Sequence, residues 1–151
     1  MLSWLDITLR LGAAMLIGCM IGANREIRHK SVGVRTLGLV GLGSALAVLA
    51  VAKDPDADAS RVIQGVITGV GFLGAGVILH GPTSMQVQGL TTATTIWITA
   101  SLGVLCGLAV WKILAIAFVL TFLLLIAGIP IERWLIKGCD AVEQSDRTGA
   151  A

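Results

Sequence analysis

Five apolar runs, at residues 4–23, 36–52, 62–79, 90–109 and 113–128, alternate with short polar breaks along the chain. A hydrocarbon core is crossed by about 20 apolar residues in helical form. Each run therefore predicts a membrane-spanning helix, and residues 1–130 predict an all-α polytopic bundle of five transmembrane helices. The run at 36–52 is short, yet at about 1.5 Å per residue it rises roughly 26 Å, enough for a thin core with little tilt. The fifth run is apolar on all sides and is expected at the lipid-facing periphery. Pro130 ends it, and Ile131, Trp134 and Leu135 then follow the spacing of a short interfacial helix. A disordered polar stretch completes the expected cytoplasmic tail at 131–151.

Inside the runs, small and hydroxylated residues recur at helical spacing. Thr91, Thr95, Thr99, Gly103 and Gly107 each follow the last by four, forming one drifting stripe on the fourth helix. Lipid tails give helices no water-driven reason to associate, so close backbone approach at small residues and hydroxyl bonding supply the packing. The stripe is expected to press against the rest of the bundle. Ala14, Gly18 and Gly22 form such a stripe on the first helix, and Gly38, Gly41 and Ser44 give the second a small face. The third carries Gln64, Thr68, Gly71 and Ala75 beside a GxxxG pair, Gly65 and Gly69. Its glycines also predict a bend or break between Gly71 and Gly76, and Ser60 is its candidate N-cap.

Composition supports this class: hydrophobic residues make up 56% of the 151 residues and charged residues 13%. The net charge of +2 is too small and scattered to imply nucleic acid. Its placement sets orientation instead. Arg25, Arg28, Lys30, Arg35, Arg133, Lys137 and Arg147 fall on one side, against Lys53, Arg61 and Lys112 on the other. The positive-inside rule then puts the N-terminus outside and the C-terminus in the cytoplasm. Met1 to Asp6 has no basic n-region, so the first span is expected to remain in the protein. Cys19, Cys106 and Cys139 have neither disulfide nor zinc spacing and read as small buried hydrophobes.

The sequence assigns no catalytic residue, metal or cofactor. No cluster has ligand spacing, no nucleophile has a nearby base, and the glycines lack the strand that a phosphate-binding loop requires. Asp54, Asp56 and Asp58 around Pro55 read as a solvated acidic turn, and Arg10 is expected to snorkel to the outer headgroups, the alternative being a buried role near Gln64 or Asp6. Every carboxylate lies at a span end or in a loop, whereas ion paths carry acidic groups or helix breaks at mid-membrane. This favours a membrane-embedded regulator acting by contact with another membrane protein. The alternative is a small transporter or channel for Mg2+ or H+.

Three ordered stretches, IGANREIRHKSVGVRTLGLVGLGSAL, VITGVGFLGAGVIL and VQGLTTATTIWITASLGVLCGL, resemble the membrane domain of the MgtC/SapB family of bacterial inner-membrane proteins. The resemblance covers nearly all of residues 5–129. It implies five spans, an outside N-terminus and a cytoplasmic C-terminus. It also implies a role in adaptation to low magnesium, acid stress and survival inside host cells, with restraint of the F-type ATP synthase as the mechanism. The matching family positions are Asn24, Arg25, Glu26, Gly33, Arg35 and Thr36, then Gly71, Gly74, Gly76, Gly89, Leu90, Thr91 and Thr92. The resemblance is to the short members, without the soluble domain similar to ACT regulatory domains, and Thr91 stands where some members have Asn. In this topology Asn24, Arg25, Glu26, Arg35, Thr36, Thr91 and Thr92 reach the cytoplasmic boundary together. They are expected to form one polar cluster, with Glu26 facing Arg35. The lipid bilayer and a second membrane protein are the expected partners; whether the bundle pairs with a second copy is left open.

Overall fold

Ser3 opens the first helix by accepting the Asp6 amide at 3.1 Å on its hydroxyl, an N-cap that places an acid in the positive first turn. A computed structural model describes residues 3–52, 58–80 and 87–128 of the chain. It shows helices α1 (Trp4–Ile27), α2 (Val34–Val51), α3 (Ala59–Gly76), α4 (Leu90–Gly107) and α5 (Trp111–Gly128). A minimal antiparallel ribbon, β1 (Leu79–His80) with β2 (Val87–Gln88), joins α3 to α4. By length and composition α1, α2, α4 and α5 suffice to cross a membrane. The third helix is outside that set, because Ser60, Arg61, Gln64 and five glycines dilute its apolar content.

Boundaries differ from the sequence reading in instructive ways. The first helix continues through Arg25 and Glu26 to Ile27, and α5 begins at Trp111, two residues before the run expected at 113–128. The third ends at Gly76, not at 79, where three glycines in six residues of low helix propensity meet the turn into β1. Its cap is Asp58, not Ser60: the Asp58 carboxylate accepts the Ser60 amide at 3.0 Å and the Ser60 hydroxyl. Those two bonds, the hydroxyl first, hold the Asp58 carboxyl below the ordinary carboxylate range. The rest of the acidic turn, the interfacial helix, the tail and Cys139 lie outside the described residues.

The chain divides into two compact units, Met1–Phe118 and Val119–Ala151, with α5 beginning in the first and ending in the second. In the first, backbones touch where a side chain would not fit. A Cβ added at Gly18 would lie 2.3 Å from the Leu37 carbonyl oxygen, and one at Gly22 2.6 Å from the Val34 Cα. One at Gly41 would lie 2.6 Å from the Ala14 oxygen. Partner numbers fall on α2 as they rise on α1, so these helices are antiparallel. A Cβ at Gly103 would lie 2.4 Å from the Gly41 oxygen and one at Gly107 2.9 Å from the Ala45 oxygen, so α2 and α4 run parallel. Ile21, Leu37, Val48, Ile96 and Leu102 fill the space around these contacts. The third helix attaches through Val70 and Gly74, with Ala93 of α4 3.5 Å from a Cβ at Gly74.

Hydroxyls inside the bundle are satisfied locally. Thr95 donates to the Thr91 carbonyl at 2.6 Å, Thr99 to Thr95 at 2.8 Å and Ser44 to Val40 at 2.8 Å, each one turn back. The threonine stripe thus offers methyl groups to its neighbours, Thr99 Cγ2 lying 3.8 Å from a Cβ at Gly41.

Candidate functional site

The first helix ends at Ile27, and a type of cap usually given to glycine turns the chain. His29 adopts φ 52°, with its amide on the Glu26 carbonyl at 2.9 Å and the Lys30 amide on the Arg25 carbonyl at 3.1 Å. This brings Gly33 back beside Glu26. The second helix has no side-chain cap from Gly33; instead Glu26 reaches across, and its Oε2 accepts the Val34 amide at 3.1 Å. A carboxylate on the positive end of a helix is stabilised by the dipole and by the otherwise orphaned amide. Gly33 leaves it room, since a Cβ there would lie 2.7 Å from that oxygen.

The expected cluster divides into two groups. Arg25 is buried, 3% exposed, and donates from Nη2 to the Thr92 hydroxyl, while Asn24 Oδ1 beside it is buried without a hydrogen bond. Glu26, Arg35, Thr36 and Thr91 are exposed. The Glu26–Arg35 pairing is corrected: among the described residues no ion pair joins them, and Glu26 is spent on Val34. A helix amide is already fixed in place, whereas holding the long Arg35 side chain costs rotamer entropy that an exposed ion pair barely offsets. Thr91 leaves the buried stripe because four residues overshoot one turn by about 40°, and Thr92 takes its place. Around the turn, Glu26, Lys30, Ser31, Gly33, Val34, Arg35 and Thr36 line an open groove of about 590 Å³.

Two other sequence expectations change. Gly65 and Gly69 make no close helix contact within the described chain: a Cβ at either meets nothing within 4 Å. They face outward with Gln64, Thr68, Gly71 and Ala75, because α3 packs through its opposite side. They line, with Gly43 and Val70, a second groove of about 520 Å³ between α2 and α3. Arg10 does not extend into headgroups. Its side chain is 16% exposed, pairs with Asp6 at 2.8 Å and donates to the Gly107 carbonyl at 2.9 Å, at the end of α4. The signal was the i,i+4 spacing of Asp6 and Arg10. Among the described residues no three His, Cys, Asp or Glu side chains are grouped as metal ligands.

These motifs now have relatives. Residues 11–134 match the profile of the MgtC family. Protein SrpB of Synechococcus elongatus is 43% identical over 148 residues, 87% of this chain and 81% of that protein. Protein MgtC of Salmonella typhimurium is 42% identical over 126 residues, 83% of this chain and 52% of that protein. Protein MgtC of Brucella abortus is 40% identical over 110 residues, 72% of this chain and 45% of that protein. The chain thus spans about half the length of these two MgtC proteins. No solved structure matches. The profile match runs from α1 past the end of α5, through every motif that builds the Glu26 cap and the Arg25–Thr92 bond, and the chain is a membrane protein of the MgtC family.

Proposed function

We propose that this chain is a multi-pass protein of the bacterial inner membrane that regulates another membrane protein by contact, in adaptation to low magnesium, acid or host stress. The F-type ATP synthase is the partner that the family resemblance implies. The observation that carries the reading is the groove at the α1–α2 turn, where Lys30, Arg35 and Thr36 stay exposed while the Glu26 cap fixes the backbone beneath them. A rigid surface with unspent charge steers a partner and fixes its register. The bundle interior, in contrast, is occupied by helix packing.

The Lys and Arg asymmetry places this turn in the cytoplasm. Lys30→Cys is therefore expected to resist membrane-impermeant thiol reagents added from the periplasmic side and to react in inverted vesicles; periplasmic labelling would reverse the orientation. Arg35→Ala is expected to fold and reach wild-type membrane levels, yet to lose growth at low magnesium. Partner binding should weaken roughly tenfold, the scale of one lost charge-assisted bond. Arg35→Lys should recover only part, since an ammonium cannot reproduce the planar fork. Normal growth of Arg35→Ala, or uptake of Mg2+ or H+ by liposomes holding the purified protein, would overturn the regulator reading.

A further inference from the structure

Two positive features meet at one end of the bundle, and among the described residues no carboxylate pairs with either. The guanidinium of Arg25, 3% exposed, spends Nη2 on a neutral hydroxyl, and its Nε has no partner. That hydroxyl belongs to Thr92 in the first turn of α4, an 18-residue helix whose N-cap, Gly89, supplies no side-chain bond. Gly89 holds φ 95°, and a Cβ there would lie 2.1 Å from the Val77 oxygen, so the residue that suits this backbone is one that cannot cap. The first amides of a helix have no acceptor within it, and the dipole adds to their positive charge. Among the described residues the ion pairs are Arg10–Asp6 and Arg61–Asp58, and Glu26 is engaged at Val34. Burial of a guanidinium without a counter-charge, next to a positive helix end, is unfavourable in the absence of an anion.

We propose that Arg25 and the first turn of α4 bind a phosphate-class oxyanion, either the phosphodiester of an anionic lipid headgroup or free phosphate. Helix amides, a threonine hydroxyl and a guanidinium are directed donors in a number that suits several phosphate oxygens better than the two of a carboxylate. Leu90 and Thr91 are exposed, which leaves this turn open to an approaching group. The site lies where α1 ends and α4 begins, the level at which a bilayer places its phosphates. The inference goes beyond the regulator reading and involves no partner.

The test is thermal unfolding of the purified chain in neutral detergent, titrated with inorganic phosphate against chloride and acetate at equal ionic strength. A second arm, in the same detergent and phosphate-free buffer, adds phosphatidylglycerol against a diacylglycerol of the same chains, which carries no phosphodiester. Wild type is expected to melt several degrees higher in at least one arm. A rise with phosphate assigns the free ion, and a rise with phosphatidylglycerol assigns the headgroup. Arg25→Met should remove the rise, while Arg61→Gln, exposed at the far end of α3, should keep it. If Arg25→Met does not fold, Arg25→Lys replaces it and should need several-fold more ligand for the same rise. No rise in either arm, an equal rise in acetate, or a wild-type response in the Arg25 variant overturns the proposal.

Discussion

Gly18→Leu and Gly103→Leu are expected to collapse the thermal stability of the purified protein, whereas Gly65→Ala and Gly69→Ala leave it unchanged or raise it. At Gly18 and Gly103 the first added carbon already lies 2.3 and 2.4 Å from a backbone carbonyl oxygen of α2. A carbonyl in a helix cannot turn aside as a side chain does, so two helices must separate. Overpacking of this kind costs about 3 kcal/mol, and here the separation also opens the contacts around Ala14, Gly41 and Thr99. At Gly65 and Gly69 nothing lies within 4 Å, and alanine recovers up to about 1 kcal/mol of helix propensity. Melting curves of the four variants in one detergent decide the matter. Equal losses at all four positions would mean that the third helix is packed as closely as the first.

The same contrast shows how far the sequence reaches. Spacing of four marked Gly18 and Gly65 alike, because it describes one helix and says nothing of what lies opposite. The hairpin turn settles the first case: His29 and Gly33 fold α2 back on α1, so the small faces of both meet. The face of α3 that contacts α4 is set by the ribbon between them, where Gly89 and the β1–β2 pairing fix the return angle. That angle has no periodic signature. Glu26 is a similar case. Its place at a span end is legible, and a carboxylate there calls for a cationic partner; the competing acceptor-seeking group is the amide of Val34, visible only once Gly33 is known to cap a helix. Arg25 and Arg10 were both legible as cations inside or beside a span. Which group of α4 each one meets, the Gly107 carbonyl or the Thr92 hydroxyl, depends on the register between α1 and α4, a quantity of tertiary structure.

Arg10→Met is expected to lower stability by about 2 kcal/mol, the scale of lost hydrogen bonds to a charged group. The two arginines of α1 stand at opposite ends of α4: the pairs 10 with 107 and 25 with 92 are spaced by the same fifteen residues on both antiparallel helices. At the Gly107 end the helix dipole is negative, and the amides of Leu108, Val110 and Ala109 take the Val104, Leu105 and Cys106 carbonyls but leave that of Gly107, so a cation there is favoured. Arg10 donates to the Gly107 carbonyl while Asp6, at 2.8 Å, balances its charge and holds the guanidinium plane. Met keeps the apolar stem and removes only the donors, which separates this effect from lost packing. Arg10→Lys should recover part of the loss, since one ammonium cannot serve carboxylate and carbonyl in the same planar geometry. Asp6→Asn should be milder in the wild-type background and neutral in Arg10→Met, because the two groups act as a unit. A double-mutant cycle by thermal melting measures this coupling. Simple additivity of the Asp6 and Arg10 changes would show that Arg10 caps α4 without help from Asp6.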